Sequence, residues 1–300
     1  MNSSSPCSGE WGRQLINQTA NAFHSNVFLA AELPLSGVAA CVTCLFIALS
    51  GVGMQNKLIS RRLYLFLLTK AVADLVFCAC AALGIGLFSS VLSVIVLCMC
   101  GILTSTCAAA GSYVTLSAVK LVAILRPVHY RTHITTRKCL IPIAINWALC
   151  FLTGSLSAIF MLLSVNERMN CDFRTCVLPI WEVVVSLNVF SYCLVVASYF
   201  VTAFVVYRRD AKRTGKGLGN FWKVGVHVGQ FMVLNFSVMI LMLLTTFELG
   251  AFCAGDLDIQ IFPQTSTRFA WCILLMNVRI LIDPIVAVLF DKKFFQMLFK

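Results

Sequence analysis

Seven apolar runs, each long enough to cross a lipid bilayer, constrain this chain more than any other feature. A spanning helix needs about 20 apolar residues. Such runs occupy about residues 27–53, 63–88, 91–122, 139–164, 179–207, 223–248 and 266–290. Of the 300 residues, 60% are hydrophobic and only 12% charged; a soluble domain carries about twice that charged fraction. The sequence therefore reads as a single all-α membrane domain over residues 1–300, a seven-transmembrane helix bundle. No internal repeat is visible, which weighs against an inverted-repeat transporter. The connection at Ser89-Ser90 is so short that the second and third spans must be adjacent and antiparallel.

Charge placement sets the orientation. Lys and Arg accumulate on the cytoplasmic side of membrane proteins. Seventeen of them fall near residues 54–62, 120–138, 208–223 and 292–300, against four on the other side, Arg13, Arg168, Arg174 and Arg268. The N-terminus is therefore expected outside and the C-terminus inside. The polar N-terminal stretch lacks the charged start and apolar core of a cleavable signal peptide, so the first span is expected to act as its own insertion signal. After Phe290, Phe294 and Leu298 are four apart, as are Phe295 and Phe299, beside Lys292 and Lys293. That pattern predicts a short amphipathic helix over 291–299 lying on the inner surface of the bilayer.

The net charge of +11 does not point to nucleic acid, because the basic residues sit in short loops between apolar runs. Fifteen cysteines are too scattered for a zinc site, and Cys41 and Cys44 lie inside an apolar run. Four histidines, His24, His129, His133 and His227, are dispersed. No metal site and no cofactor is expected. No phosphate-binding loop, His-Glu-x-x-His or Gly-x-Ser-x-Gly pattern occurs, so an enzyme is not expected either.

Two pairs of intramembrane charges stand out. Lys70 and Asp74 are four apart in the second span, and Arg279 and Asp283 are four apart in the seventh. Each pair shares a helix face. Charges inside a membrane are costly unless paired, which makes them functional candidates.

Several motifs carry a family resemblance. Val122-Ala123-Ile124-Leu125-Arg126-Pro127-Val128-His129-Tyr130 resembles the inner end of the third helix of rhodopsin-like G-protein-coupled receptors. Ala71-Val72-Ala73-Asp74-Leu75 resembles the family's second-helix pattern, and Trp147 falls 27 residues after Lys120, a familiar spacing. Asp283-Pro284-Ile285-Val286-Ala287 is similar to the seventh-helix Asp/Asn-Pro-x-x-Tyr motif, with Ala287 in place of Tyr. The segments 61–68 and 279–284 also resemble nematode chemoreceptors. The departures are equally specific. Val119-Lys120-Leu121 replaces Asp-Arg-Tyr, the first span lacks Gly-Asn, and the fifth and sixth spans lack mid-helix prolines.

The resemblance implies a plasma-membrane receptor for a small-molecule ligand that signals to a heterotrimeric G protein. Lys120, Arg126, His129 and Tyr130, with the basic loop 208–216, would form the G-protein side. Ile102, Leu103, Thr106 and Cys107 of the third span, with Trp271, Ile273 and Asn277 of the seventh, would border the ligand. Ile102 in place of an Asp disfavours an amine, and the seventh span lacks the Lys that retinal requires. Cys98 or Cys100 would join Cys171 or Cys176 in a disulfide. Family alignment also turns Asp74 toward the seventh span, pairing Asp74 with Arg279 and Lys70 with Asp283. With Ala109 and Arg279 as its neighbours, Asp74 would hold no sodium ion. Two alternatives stay open: a transporter or channel whose path is lined by these four charges, and a degenerate receptor that acts as a partner.

Asn2 and Asn17 head glycosylation sequons in the outer tail, whereas Asn235, in a third sequon, lies within the sixth span and is expected to bond to a neighbouring helix. Treatment of cell-expressed protein with an N-glycosidase should lower its apparent mass, and the double variant N2Q/N17Q should be insensitive. A mass unaffected by the enzyme in wild type would contradict the outward N-terminus.

Overall fold

A computed structural model describes residues 26–56, 61–87, 92–165, 173–213, 218–254 and 262–290. The surface helix expected over 291–299 lies outside the described residues. Seven helices carry spans long and apolar enough to cross a membrane. They are α1 (Asn26–Gln55), α2 (Arg61–Leu87), α3 (Leu92–Leu125), α5 (Thr136–Val165), α7 (Leu178–Arg213), α8 (Leu218–Ala254) and α9 (Phe262–Phe290). Two short helices sit between them, α4 (Pro127–His133) and α6 (Phe173–Cys176).

The expected spans coincide with these helices, but α7 and α8 run about one to two turns further at the inner side, into polar sequence. Hydropathy marks where a chain leaves the hydrocarbon, whereas a helix continues into water while its backbone bonds are kept. The end of α3 has a local cause. Arg126 precedes Pro127, whose ring disfavours helical geometry in the residue before it. Arg126 accordingly sits at φ −131°, ψ 71°, and Pro127 starts α4 at a position where its missing N–H costs nothing.

Packing closes a ring in the order α1, α2, α3, α7, α8, α9 and back to α1, with α5 laid outside against α3. The second and third spans are neighbours, as their short connection requires. The main core joins Ala39 of α1, Phe77, Cys78 and Ala81 of α2, Ile102 of α3, Val238 of α8 and residues of α9. A second, aromatic centre forms where Phe231 of α8 meets Tyr113 of α3 edge-on at 4.7 Å and stacks on Tyr192 of α7 at 5.8 Å. The outer surface is apolar, with Leu45, Ile141, Leu152, Phe190 and Phe247 all exposed. So large an apolar exterior suits lipid rather than water. The described chain is thus a multi-pass membrane protein.

Without a hydrophobic drive inside lipid, helices associate through close contact of small residues and hydrogen bonds between helices. The α3–α5 contact uses both. Asn146 donates from Nδ2 to the Ala108 carbonyl at 3.0 Å. A Cβ on Gly111 would strike the Asn146 amide, and one on Gly154 would strike Thr104 Oγ1 and crowd the Cys100 carbonyl. Gly37 of α1, by contrast, faces open space. Gly154→Ala should destabilise the fold by about 1–3 kcal/mol through overpacking. Gly37→Ala should stabilise it by up to about 1 kcal/mol through helix propensity. Thermal unfolding of the two variants in detergent checks the opposite signs.

Candidate functional site

The site begins with geometry that helix direction imposes. α2 runs outward and α9 inward, so Lys70 lies one turn inward of Asp74, and Asp283 one turn inward of Arg279. The two pairs meet crosswise. Arg279 Nη2 lies 3.3 Å from Asp74 Oδ1, and Lys70 Nζ lies 2.7 Å from Asp283 Oδ2. Lys70 also bonds Asp74 along its own helix. Lys70, Asp74 and Arg279 are buried, and Asp283 is largely so. Two acids and two bases give a neutral cluster, the arrangement that offsets the desolvation of each charge.

Two further helices join it. Tyr113 of α3 donates its hydroxyl to Asp283, and its ring lies 5.1 Å from the Lys70 ammonium and 6.0 Å from the Arg279 guanidinium. Asn235 of α8 accepts from Arg279 Nη1 at 3.0 Å, while its own amide donates to the Phe231 carbonyl. Asn235 therefore bonds a neighbouring helix, as its place in the sixth span requires. Arg279 Nε has no hydrogen-bond partner. The cluster thus ties α2, α3, α8 and α9 at one depth.

A cavity of about 40 Å³ adjoins the cluster between α3, α7, α8 and α9. Its walls include Thr106, Tyr113, Asn188, Asn235, Met276 and Arg279. At about 10–15 Å³ per water, it has room for two to four waters. Tyr113, Asn235 and Arg279 belong to both the cavity and the cluster.

The residues expected at the ligand are mostly elsewhere. Thr106 lines the cavity. Cys107 touches its rim, accepting from Asn188 Nδ2 at 3.8 Å. Leu103 is half-buried and is not part of the wall. Ile102 and Ile273 are buried in the main core. Asn277 is completely buried and donates to Glu32 of α1 at 3.0 Å, and Trp271 is exposed on the outer surface. The cause is the rotation of α9. Met276 and Arg279, three apart, face the cavity, which turns Ile273 and Asn277 toward α1 and α2 and Trp271 outward.

The expected disulfide from α3 is also corrected. Cys98 and Cys100 are free. They lie about two turns inside α3, where Cys98 packs near Gly84 of α2 and Cys100 donates to the Gly154 carbonyl at 2.9 Å. Cys176 is disulfide-bonded; Cys171 lies outside the described residues, as do Asn2 and Asn17.

At the inner end, Lys120 points its ammonium at the Tyr199 ring of α7, 5.9 Å from the centroid. Arg126 and His129 are exposed, and His129 stacks on His133 at 4.6 Å. Tyr130 is held by Arg62 of α2, which donates to its carbonyl at 2.9 Å and lies 5.5 Å from its ring centre. These residues occupy one end of the bundle, but Lys120 faces inward and the others line α4 and its start.

Sequence reasoning missed two residues. Tyr113 follows Thr106 by seven positions, so it shares the face already marked by Thr106. Glu32 is the lone charge of the first span, a signal equal in kind to Asp74. Among the described residues, no cluster of metal-ligating side chains is present. Comparison with protein-family models and with curated proteins finds no match.

Removing one member of the cluster leaves a buried charge unpaired, which costs about 3–5 kcal/mol. Asp74→Asn and Arg279→Ala should each lower the yield of folded protein sharply. The exchange Asp74→Arg with Arg279→Asp should recover a large part of it. A double variant no better folded than the single ones would contradict the crosswise contact.

Proposed function

We propose that the chain is a divergent rhodopsin-like receptor of the plasma membrane that binds a small ligand from outside and signals to a heterotrimeric G protein. The observation that carries this reading is the shared wall. Tyr113, Asn235 and Arg279 border the cavity and also hold the charge cluster. A ligand that displaces the cavity waters and takes a hydrogen bond from Arg279 competes directly with the Arg279–Asn235 bond between α9 and α8.

The small cavity supports a closed resting state. A ligand shifts a population only by binding one state more tightly than the other. Here the favoured state would have α8 drawn away from Arg279, widening the cavity and the inner end together. The absence of mid-helix proline in α7 and α8 removes the usual kink source, so α8 is expected to move as a rigid rod. Lys120 would meet the G protein once α7 and Tyr199 withdraw. A lysine lacks the planar fork of arginine, which implies weaker coupling than an Arg would give. Transport remains the second reading, supported by the continuity of Lys70, Asp74, Asp283 and Tyr113 across α2, α3 and α9.

The test is G-protein dissociation in cells expressing the chain at the surface, challenged with a broad panel of small molecules. A ligand-dependent response should appear in wild type and fall at least tenfold in Lys120→Ala. Ligand-dependent currents with no G-protein response would favour transport and overturn the receptor reading.

A further inference from the structure

The buried face of α1 carries an unexplained polar row. Glu32, Ser36, Thr43 and Ser50 are all buried, and Glu32 is completely so. Glu32 Oε1 accepts from Asn277 Nδ2 at 3.0 Å. Glu32 Oε2 and the hydroxyls of Ser36, Thr43 and Ser50 have no hydrogen-bond partner.

Hydroxyls elsewhere in the bundle behave differently. Thr69, Thr106, Ser112 and Thr245 each bond back to the carbonyl four residues before, at 2.7–2.8 Å. That local bond is the ordinary solution for Ser and Thr in a membrane helix. The α1 hydroxyls decline it and stay available.

Charge gives the second argument. Lys70, Arg279, Asp74 and Asp283 neutralise one another, which leaves Glu32 outside the balance. Among the described residues no lysine, arginine or histidine pairs with it. A lone carboxylate cannot remain ionised in an apolar interior; it takes up a proton or keeps a cation beside it. Its environment supplies hard oxygen donors. Ser36 lies one turn along the same face, and Pro34 between them cannot donate to the Ala30 carbonyl, which frees a backbone oxygen nearby. One carboxylate is too little for calcium, which collects six to eight oxygens.

We propose that Glu32 is the anionic group of a monovalent-cation site between α1 and α9, taking H⁺ or Na⁺, with Ser36 as its neighbouring oxygen donor. The row Ser36, Thr43 and Ser50, spaced by seven residues on one face, is its polar route toward the inner surface. The site is separate from the cluster around Asp74 and stands independently of the receptor reading. The ionisable groups on the elements packed against α1 are Arg61, Arg62, Tyr64, Lys70, Asp74, Cys78 and Cys80 of α2 and Arg268, Cys272, Arg279 and Asp283 of α9. Cys78 touches Asn277 directly, its Sγ 3.6 Å from the Asn277 carbonyl oxygen.

The experiment is thermal unfolding of the full chain in lipid nanodiscs. Na⁺ is exchanged for N-methylglucamine at constant ionic strength, at pH 6.0 and 8.5. If Na⁺ is the occupant, wild type gains several degrees with Na⁺ at pH 8.5, and Ser36→Ala raises the half-saturating Na⁺ concentration about tenfold. If the proton is the occupant, wild type is several degrees more stable at pH 6.0 than at 8.5 and indifferent to Na⁺. In both cases Glu32→Gln, neutral at every pH, loses the dependence. A Glu32→Gln protein that keeps the wild-type response overturns the proposal, as does a wild type that responds to neither Na⁺ nor pH. Should that variant not accumulate, Asn277→Lys places a fixed cation beside Glu32 and must abolish the same response; a persisting response again overturns it.

Discussion

An ionised side chain inside a bilayer must find an opposite charge, and that requirement organises this bundle. Lys70, Asp74, Arg279 and Asp283 satisfy it together. No two of them can be separated without leaving buried charge exposed to hydrocarbon. The relative height of α2 and α9 is thereby fixed to within a helical turn. Tyr113 and Asn235 extend the constraint to α3 and α8. Hydrophobic packing alone sets no such register, because lipid tails are as apolar as Leu or Phe.

Such a cluster is strong while complete and fragile when one member is engaged elsewhere. Arg279 illustrates the point. It serves Asp74 through Nη2 and Asn235 through Nη1, its side chain borders the cavity, and its buried Nε has no partner. A group that binds there changes the field on Asp74 and the bond to α8 at once. The aromatic contacts of Phe231 with Tyr113, Tyr192 and Tyr199 lie along the same path toward the inner end. The network therefore links the wall of the cavity to α8 through a contiguous set of bonded side chains.

The seven spans were legible in the sequence, because the bilayer imposes their length. The crosswise pairing was legible too, since antiparallel helices with charges four apart admit few registers. The ligand-facing residues were not. Arg279 and Asp283 mark one face of α9, but which of the apolar residues beside them meets the cavity depends on a rotation of tens of degrees, which the mean hydropathy of 267–289 does not carry. Trp271 and Asn277 were misplaced for that reason. Cys98 and Cys100 are free because their depth in α3, already visible by counting back from Lys120, puts them against α2 and α5. Glu32 was legible by the same rule that singles out Asp74, a charge inside an apolar span.

The central claim is that the buried cluster holds α8 against α9 in the resting bundle. The most direct measurement is the distance between genetically encoded spin labels at Leu125 of α3 and Gly229 of α8, read by pulsed electron resonance in nanodiscs. Wild type should give one narrow distribution. Replacing Asn235 by Ala, which removes the α8 bond while leaving the four charges paired, should broaden it and add a longer component. An unchanged narrow distribution in the variant would contradict the claim, leaving the cluster a tie between α2, α3 and α9 with no hold on α8.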